Sequence, residues 1–147
     1  MVRTVIRALA SDDVDVVGSV LGLARLHQGD GEYLVAWDGA APVGHVHVTR
    51  GEPPEVQDLE VLPSARRRGI ATALLVAAEA HCRSRGAARV RCDVSVDNPG
   101  ARSLYASLGY LDVGIAPRRV VGTIEIRSGP IDVDDTLLTL EKALDGP

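Results

Sequence analysis

Three arginines, Arg66, Arg67 and Arg68, run straight into Gly69, Ile70 and Ala71. An apolar stretch ending at Val61 and a turn at Pro63 precede them, and the apolar run Ala73 to Ala78 follows. The pattern reads as a buried strand, a short turn and the opening of a helix. The first turn of a helix leaves about four backbone N–H groups without a partner inside the helix. The positive end of the helix dipole lies on the same spot, so the mouth takes an anion. Gly69 has no Cβ and lets a bulky ligand come close to the backbone; Ala71 is the next smallest choice. The arginines add charge where a phosphate would arrive. The chemistry on offer is the cradling of a pyrophosphate on an α/β scaffold. It is not the loop used for nucleoside triphosphates, which needs a Gly-Lys pair, because the one lysine of the chain is Lys142. Nor is it the dinucleotide fingerprint G-x-G-x-x-G.

Other residues invite a chemical reading and mostly decline it. His45 and His47 point to the same side of one strand, as a metal pair would, but no third ligand stands at a sensible spacing and a structural zinc site wants four. No metal is expected; a substrate-pocket role is the other reading. Cys82 and Cys92 are isolated and read as small buried apolar residues, not as a disulfide framework. Asp132, Asp134 and Asp135 read as a solvated acidic loop that would also attract a cationic amine, while Arg118 and Arg119 pull the other way.

The elements that must position these groups follow from pattern. Thr4 to Ala8 is a short strand. Ser11 is a suitable N-cap with Asp12, Asp13 and Asp15 in the first turn, where negative charge is favoured. Val16, Val17, Val20, Leu21 and Leu23 carry a helical stripe towards His27, weakened and split by Gly18 and Gly22. Glu32 to Trp37 and Val43 to Thr49 flank the Asp38-Gly39 turn as a hairpin. Glu55 to Val61 is the third strand of this meander. The helix from about Arg68 to Arg85 buries Leu74, Leu75, Ala77, Ala78 and Cys82, and Gly86 ends it. Arg89 to Val94 is the next strand, and the crossover makes it parallel to the third. Asn98 caps a helix that has Pro99 at its first position. Tyr110 to Val113, Val120 to Arg127 and Thr136 to Lys142 read as strands, with Ser128 to Asp135 as a loop.

With 147 residues and no linker, one domain over 1–147 is expected. There is no Phe, so Val, Leu, Ile and Ala must fill the core. The net charge of −4 argues against general nucleic-acid binding; a contact through Arg66 to Arg68 would show itself by falling steeply with salt. No charged start precedes an apolar run at the N-terminus, and no run approaches the ~18 residues that span a membrane. A cytoplasmic protein without a membrane partner is expected. An exposed edge of the last strands would allow a homodimer.

Two blocks together resemble a known family. Arg66, Gly69 and Ala71 fill R/Q-x-x-G-x-G/A, similar to the acetyl-CoA loop of the GNAT family of N-acetyltransferases. Asn98, Ala101, Leu104, Tyr105, Gly109 and Tyr110 fill the family's second block, N-x-x-A-x-x-L-Y-x-x-x-G-[FY]. The resemblance covers roughly Leu34 to Leu144. It implies an α/β fold with a mixed, mostly antiparallel sheet of about six or seven strands, a splayed parallel pair and about four helices. It implies acetyl-CoA as donor, its pantetheine arm pairing with Leu59, Glu60 and Val61, and its pyrophosphate on the backbone N–H groups of Arg66, Arg67, Arg68, Gly69, Ile70 and Ala71. Asn98 would reach the pantetheine and Tyr105 the thioester sulfur. The reaction implied is acetyl transfer to a primary amine, small molecule or peptide, by direct attack. Tyr105 is the general acid, a phenol of pKa ~10 able to protonate the leaving thiolate. Asp93 is the first candidate base, one carbon shorter than the glutamate some relatives carry there, and Glu60 is the second. The alternative is a silent module that holds CoA or acyl-CoA and turns over nothing.

Overall fold

The computed structural model describes residues 4–24, 26, 31–126 and 129–144. Eight strands and three α-helices appear there: β1 (Thr4–Ala8), α1 (Val14–Leu21), β2 (Gly31–Asp38), β3 (Ala41–Thr49), β4 (Glu55–Val61), α2 (Ile70–Ser84), β5 (Arg89–Ser95), α3 (Pro99–Ser107), β6 (Leu111–Asp112), β7 (Arg118–Ile126) and β8 (Gly129–Ala143). The sheet runs β1-β2-β3-β4-β5-β8-β6, with β7 also paired to β8. Only β4 and β5 are parallel among these pairings.

Side chains on a strand alternate between faces, and here the alternation sorts two cores. Leu34 and Ala36 of β2, with Val46, Val48, Val56, Val61, Cys92 and Val94, meet Leu74, Leu75 and Ala78 of α2 and Tyr105 of α3. Tyr33, Val35 and Trp37 of β2 face the other way and meet Val17 of α1 and Leu23. Each fully buried leucine, such as Leu74 or Leu75, contributes roughly 1.5–3 kcal/mol of transfer free energy. Among the described residues no helix is long and apolar enough to cross a membrane.

Several expectations shift. Ser11 opens a short 3-10 turn, Ser11–Asp13, and caps nothing with its side chain. Gly22, left-handed at φ 68°, stops α1 there; the stripe towards His27 runs out of the described residues. The largest change is at the end of the chain. The segment expected as an acidic loop is, from Gly129 on, the first half of the 15-residue β8, paired to β7 from Ile126↔Gly129 to Arg118↔Leu137. Its aspartates are satisfied across the ladder: Thr123 Oγ1 donates to Asp132 at 2.6 Å, and Arg119 grips Asp134 with two bonds of 3.0 Å. Ser128 and Arg127 lie outside the described residues.

One polar cluster is built into the main core. Glu79 of α2 is 3% exposed, accepts from Lys142 Nζ at 2.8 Å, and accepts from the Tyr110 hydroxyl at 3.0 Å. Removing one member of a buried ion pair leaves the other charge uncompensated, at about 3–5 kcal/mol. Lys142 keeps about a quarter of its side chain in solvent, so Glu79→Ala is expected near the lower end, roughly 3 kcal/mol by urea unfolding. The double variant Glu79→Leu/Lys142→Met should recover only part of that loss, because no charge is then stranded but the buried Tyr110 hydroxyl still lacks its acceptor. A Glu79→Ala protein of unchanged stability would remove the cluster from the list of what holds α2 to β8.

Candidate active site

The strand that leads into the arginine loop is broken on purpose by its geometry. Pairing between β3 and β4 slips by one residue between His45 and His47, and Asp58 sits in the left-handed region at φ 57°. This is a β-bulge, which bends a strand and re-aims its side chains. On the other edge, β4 pairs with β5 only at Glu55↔Arg91 and Val56↔Cys92. Past Val56 the two strands part, and the gap between them opens towards the loop. Gly44 lies across from Val61; a Cβ there would come within 3.0 Å of the Glu60 carbonyl and 3.3 Å of Leu74. Glycine is what lets β3 lie so close under the end of β4.

Beyond Val61 the chain makes a 3-10 turn, Pro63–Ala65, then Arg66 extends and Arg67 and Gly69 both turn left-handed, at φ 66° and 74°. Helix α2 starts at Ile70 with no side-chain cap. Among the described residues, no group accepts from the amides of residues 67 to 71. The Arg66 amide differs from expectation: it donates to the Pro63 carbonyl at 3.4 Å. The Arg66 side chain is also spent on the chain, its Nε donating to the Val61 carbonyl at 3.1 Å. It clips the loop to the tip of β4. Arg68 reaches Asp38 at 3.0 Å on the surface, an exposed pair worth about 0–1 kcal/mol and easily exchanged for a phosphate. The three arginines therefore divide their work, and what the loop leaves open is chiefly backbone.

The second block folds as expected. Asn98 caps α3, its Oδ1 accepting from the Ala101 amide at 3.0 Å, and its side-chain NH2 group remains for a ligand. Tyr105 lies on α3, 7% exposed, with its ring edge-on to Tyr110 at 5.3 Å. Burial first, and then the Cys92 thiol beside it, hold the Tyr105 hydroxyl above the usual phenol range. No described residue hydrogen-bonds that hydroxyl. Tyr110, by contrast, donates to Glu79 and is committed to the core. Cys82 and Cys92 are buried, their thiols pushed up to about 11 and about 12 chiefly by burial; both are inert packing residues.

The two candidate carboxylates, Asp93 on β5 and Glu60 on β4, are not equals. Asp93 accepts from Thr139 Oγ1 at 2.7 Å, and its other oxygen is gripped by Arg118. Its partner is thus Arg118, from the start of β7, and not Arg89 or Arg91, which both bind Glu141. Glu60 is 65% exposed and lines a cleft with Leu21, His45, Val61, Leu62 and Pro63. Sequence reasoning missed Asp58, which the bulge brings beside His45: His45 Nδ1 is 3.8 Å from Asp58 and Nε2 3.9 Å from Glu60. His47 turns instead to the Tyr33 ring at 4.9 Å.

Residues 6–110 match the acetyltransferase (GNAT) family, and the chain belongs to that family. No curated protein matches it by sequence. Among solved structures it resembles the ribosomal-protein-S18-alanine N-acetyltransferase of Escherichia coli, with a TM-score of 0.75 and 15% identity over 99% of this chain and 96% of that one. It also resembles the spermidine/spermine N-acetyltransferase of Vibrio cholerae, solved with manganese ions, at 0.71 and 16% over 97% and 93%. A putative acetyltransferase of Salmonella typhimurium, solved with acetyl-CoA, gives 0.70 and 16% over 98% and 95%. At these identities the likeness establishes the fold.

Proposed function

We propose that the protein moves the acetyl group of acetyl-CoA to a primary amine by direct attack. The observation that carries this reading is the open row of amides from residue 67 to 71 beside the parted strands β4 and β5. The diphosphate of the coenzyme sits on those amides, and its pantetheine arm lies along Leu59 to Val61 with Asn98 at its side. The thioester then falls between Tyr105 and Glu60.

The reaction follows from these groups. The amine nitrogen forms a bond to the acetyl carbon while the carbonyl becomes an oxyanion, stabilised by a backbone N–H near Val61. The C–S bond breaks, the thiolate takes the proton of the Tyr105 hydroxyl, and the second proton shed by the attacking nitrogen restores that phenol. Before the attack, the first proton of the acceptor's ammonium goes to Glu60. Glu60 is preferred to Asp93 for that role because Asp93 already accepts from Thr139 and Arg118, whereas Glu60 opens onto the cleft. An acceptor that carries its positive charge to this cleft suits Glu60 in its wall, with Asp58 behind His45.

Release of free thiol from acetyl-CoA against a panel of amines tests the reading. Thiol is expected to appear only when an amine is present, one acetylated amine for each thiol. Tight binding of acetyl-CoA with no thiol released to any amine would point instead to a coenzyme-binding module.

A further inference from the structure

The group left unexplained by that chemistry is His45. It is 2% exposed, and its Nδ1 has no hydrogen-bond partner, a loss that ordinarily costs about 1–3 kcal/mol. The ring lies across from Glu60 in the β3–β4 register. It turns Nε2 to Glu60 at 3.9 Å and Nδ1 to Asp58 at 3.8 Å. Asp58 is itself held, accepting from the Tyr33 hydroxyl at 3.3 Å. The titratable and charged groups facing the ring are therefore Asp58 and Glu60 from β4 and Tyr33 from β2, whose ring stands edge-on at 6.0 Å. Leu21 of α1 contributes an apolar wall to the cleft.

Two readings compete for a histidine among carboxylates. The ligand atoms of His45, Asp58 and Glu60 lie within 4.8 Å of one another, close enough for a divalent ion to be considered. But the nitrogens that face the two carboxylates are different atoms of one ring, and an ion can take only one of them. Ligands about 2.1 Å from a shared ion also stand roughly 3–3.5 Å apart, closer than either pair here. A carboxylate, an imidazole and a second carboxylate suit proton transfer better, because the exposed Glu60 side chain needs only a change of rotamer to bring its 3.9 Å to hydrogen-bond distance. In that arrangement the far carboxylate fixes the ring tautomer and steadies the imidazolium.

We infer that His45 relays the acceptor's proton: Glu60 takes it from the ammonium, His45 Nε2 takes it from Glu60, and the resulting imidazolium is steadied by the Asp58 charge 3.8 Å from Nδ1. While the acceptor fills the cleft, Glu60 is shut off from water and His45 holds the proton; once the product leaves, the proton returns through Glu60 to water, so no oxidant or further reactant enters. His45 does not touch the acceptor; it resets the group that does. The relay rests on the acetyl-transfer reading above. Burial lowers the affinity of His45 for a proton, opposed in part by Asp58 and Glu60, so the ring is neutral near pH 7 and able to accept. The sign follows: the relay is intact above the His45 pKa and fails as pH falls through it.

Two measurements test this on the full chain. Nitrogen-15 NMR of histidine-labelled protein needs no acceptor; at pH 7 it should show His45 with Nδ1–H and a bare Nε2. An Nε2–H tautomer or an imidazolium there would overturn the relay. Kinetics of His45→Asn, with His45→Gln as the second variant, should then separate a relay from a merely structural role. With benzylamine, an ammonium ion in neutral water, kcat should fall about tenfold or more. With aniline, already neutral, it should fall less than about twofold, and KM for acetyl-CoA should hold in both. Equal losses on the two amines, or none, would overturn the proposal. So would activity lost to a chelator and restored by zinc, which would make the cluster a metal site. If the wild type acetylates no amine, the acetyl-transfer reading fails, and the tautomer measurement still decides whether His45 is set up as described.

Discussion

Tyr105→Phe is expected to cut kcat by about 10²-fold or more while leaving the affinity for CoA and the thermal stability nearly unchanged. The substitution removes one oxygen from a side chain that is otherwise buried among apolar neighbours. Its hydroxyl makes no hydrogen bond to a described residue, so its loss strands no partner. Packing against Tyr110 survives, because the edge-on contact at 5.3 Å is made by the ring. What goes is the proton for the departing sulfur. Burial holds Tyr105 above the usual phenol range, which keeps it protonated at every pH of an ordinary assay. The basic limb of a pH–rate profile should therefore not be its signature. The signature is the leaving group: an acetyl thioester of an acidic aromatic thiol needs little help to depart and should lose much less than acetyl-CoA. A variant with wild-type kcat on acetyl-CoA would take the acid role from Tyr105. One equally slow on both thioesters would make the residue structural.

Tyr105 and Tyr110 also show what the sequence could and could not say. Both stand in the same block, and it is the resemblance, not the chemistry of the two side chains, that singles out Tyr105. The structure separates them, because Glu79 of α2 captures one hydroxyl and leaves the other. The helix mouth was legible for a plain reason: strand, turn, glycine and apolar run are all local patterns, and the open amides follow from a helix start whatever packs around it. Asn98 was legible for the same reason. The illegible parts depend on partners far along the chain. Residues 129–135 read as a loop because three aspartates and a Gly-Pro pair deny a strand on composition. Pairing with β7, and the bonds from Thr123 and Arg119, satisfy those aspartates on a ladder. Asp58 was lost to period two: strict alternation puts Val56, Asp58 and Glu60 on one face, and the bulge sends Val56 to the α2 core and both acids to the other side. Asp93 takes its cation from Arg118 on another strand, 25 residues along the chain, which no local pattern announces.

Gly69→Ala should raise the Kd for CoA about tenfold or more, at about 1–2 kcal/mol of stability, and the two effects have separate causes. The stability loss is backbone strain: Gly69 is left-handed at φ 74°, and a residue with a Cβ pays about 1–2 kcal/mol for that conformation. Nothing in the protein adds to it, since an added Cβ meets no atom within 4 Å. That same emptiness is the reason to expect a large effect on binding. The space is bounded by amides of residues 67 to 71 that no described residue uses, and a diphosphate must come to about 2.9 Å from an N–H to be held. A methyl group at the cap stands in that approach and replaces none of the donors. Arg67 sharpens the comparison, because it already carries a left-handed φ of 66° without being glycine. Arg67→Gly relieves that strain, keeps every amide and removes only a guanidinium. It should leave the fold as stable or more so and weaken CoA by a few-fold at most, the more so at low salt. Calorimetry of CoA binding to the two variants, with urea unfolding beside it, reads both quantities. If Gly69→Ala binds CoA as the wild type does while Arg67→Gly does not, the anion is held by side-chain charge and the backbone cradle is not the site.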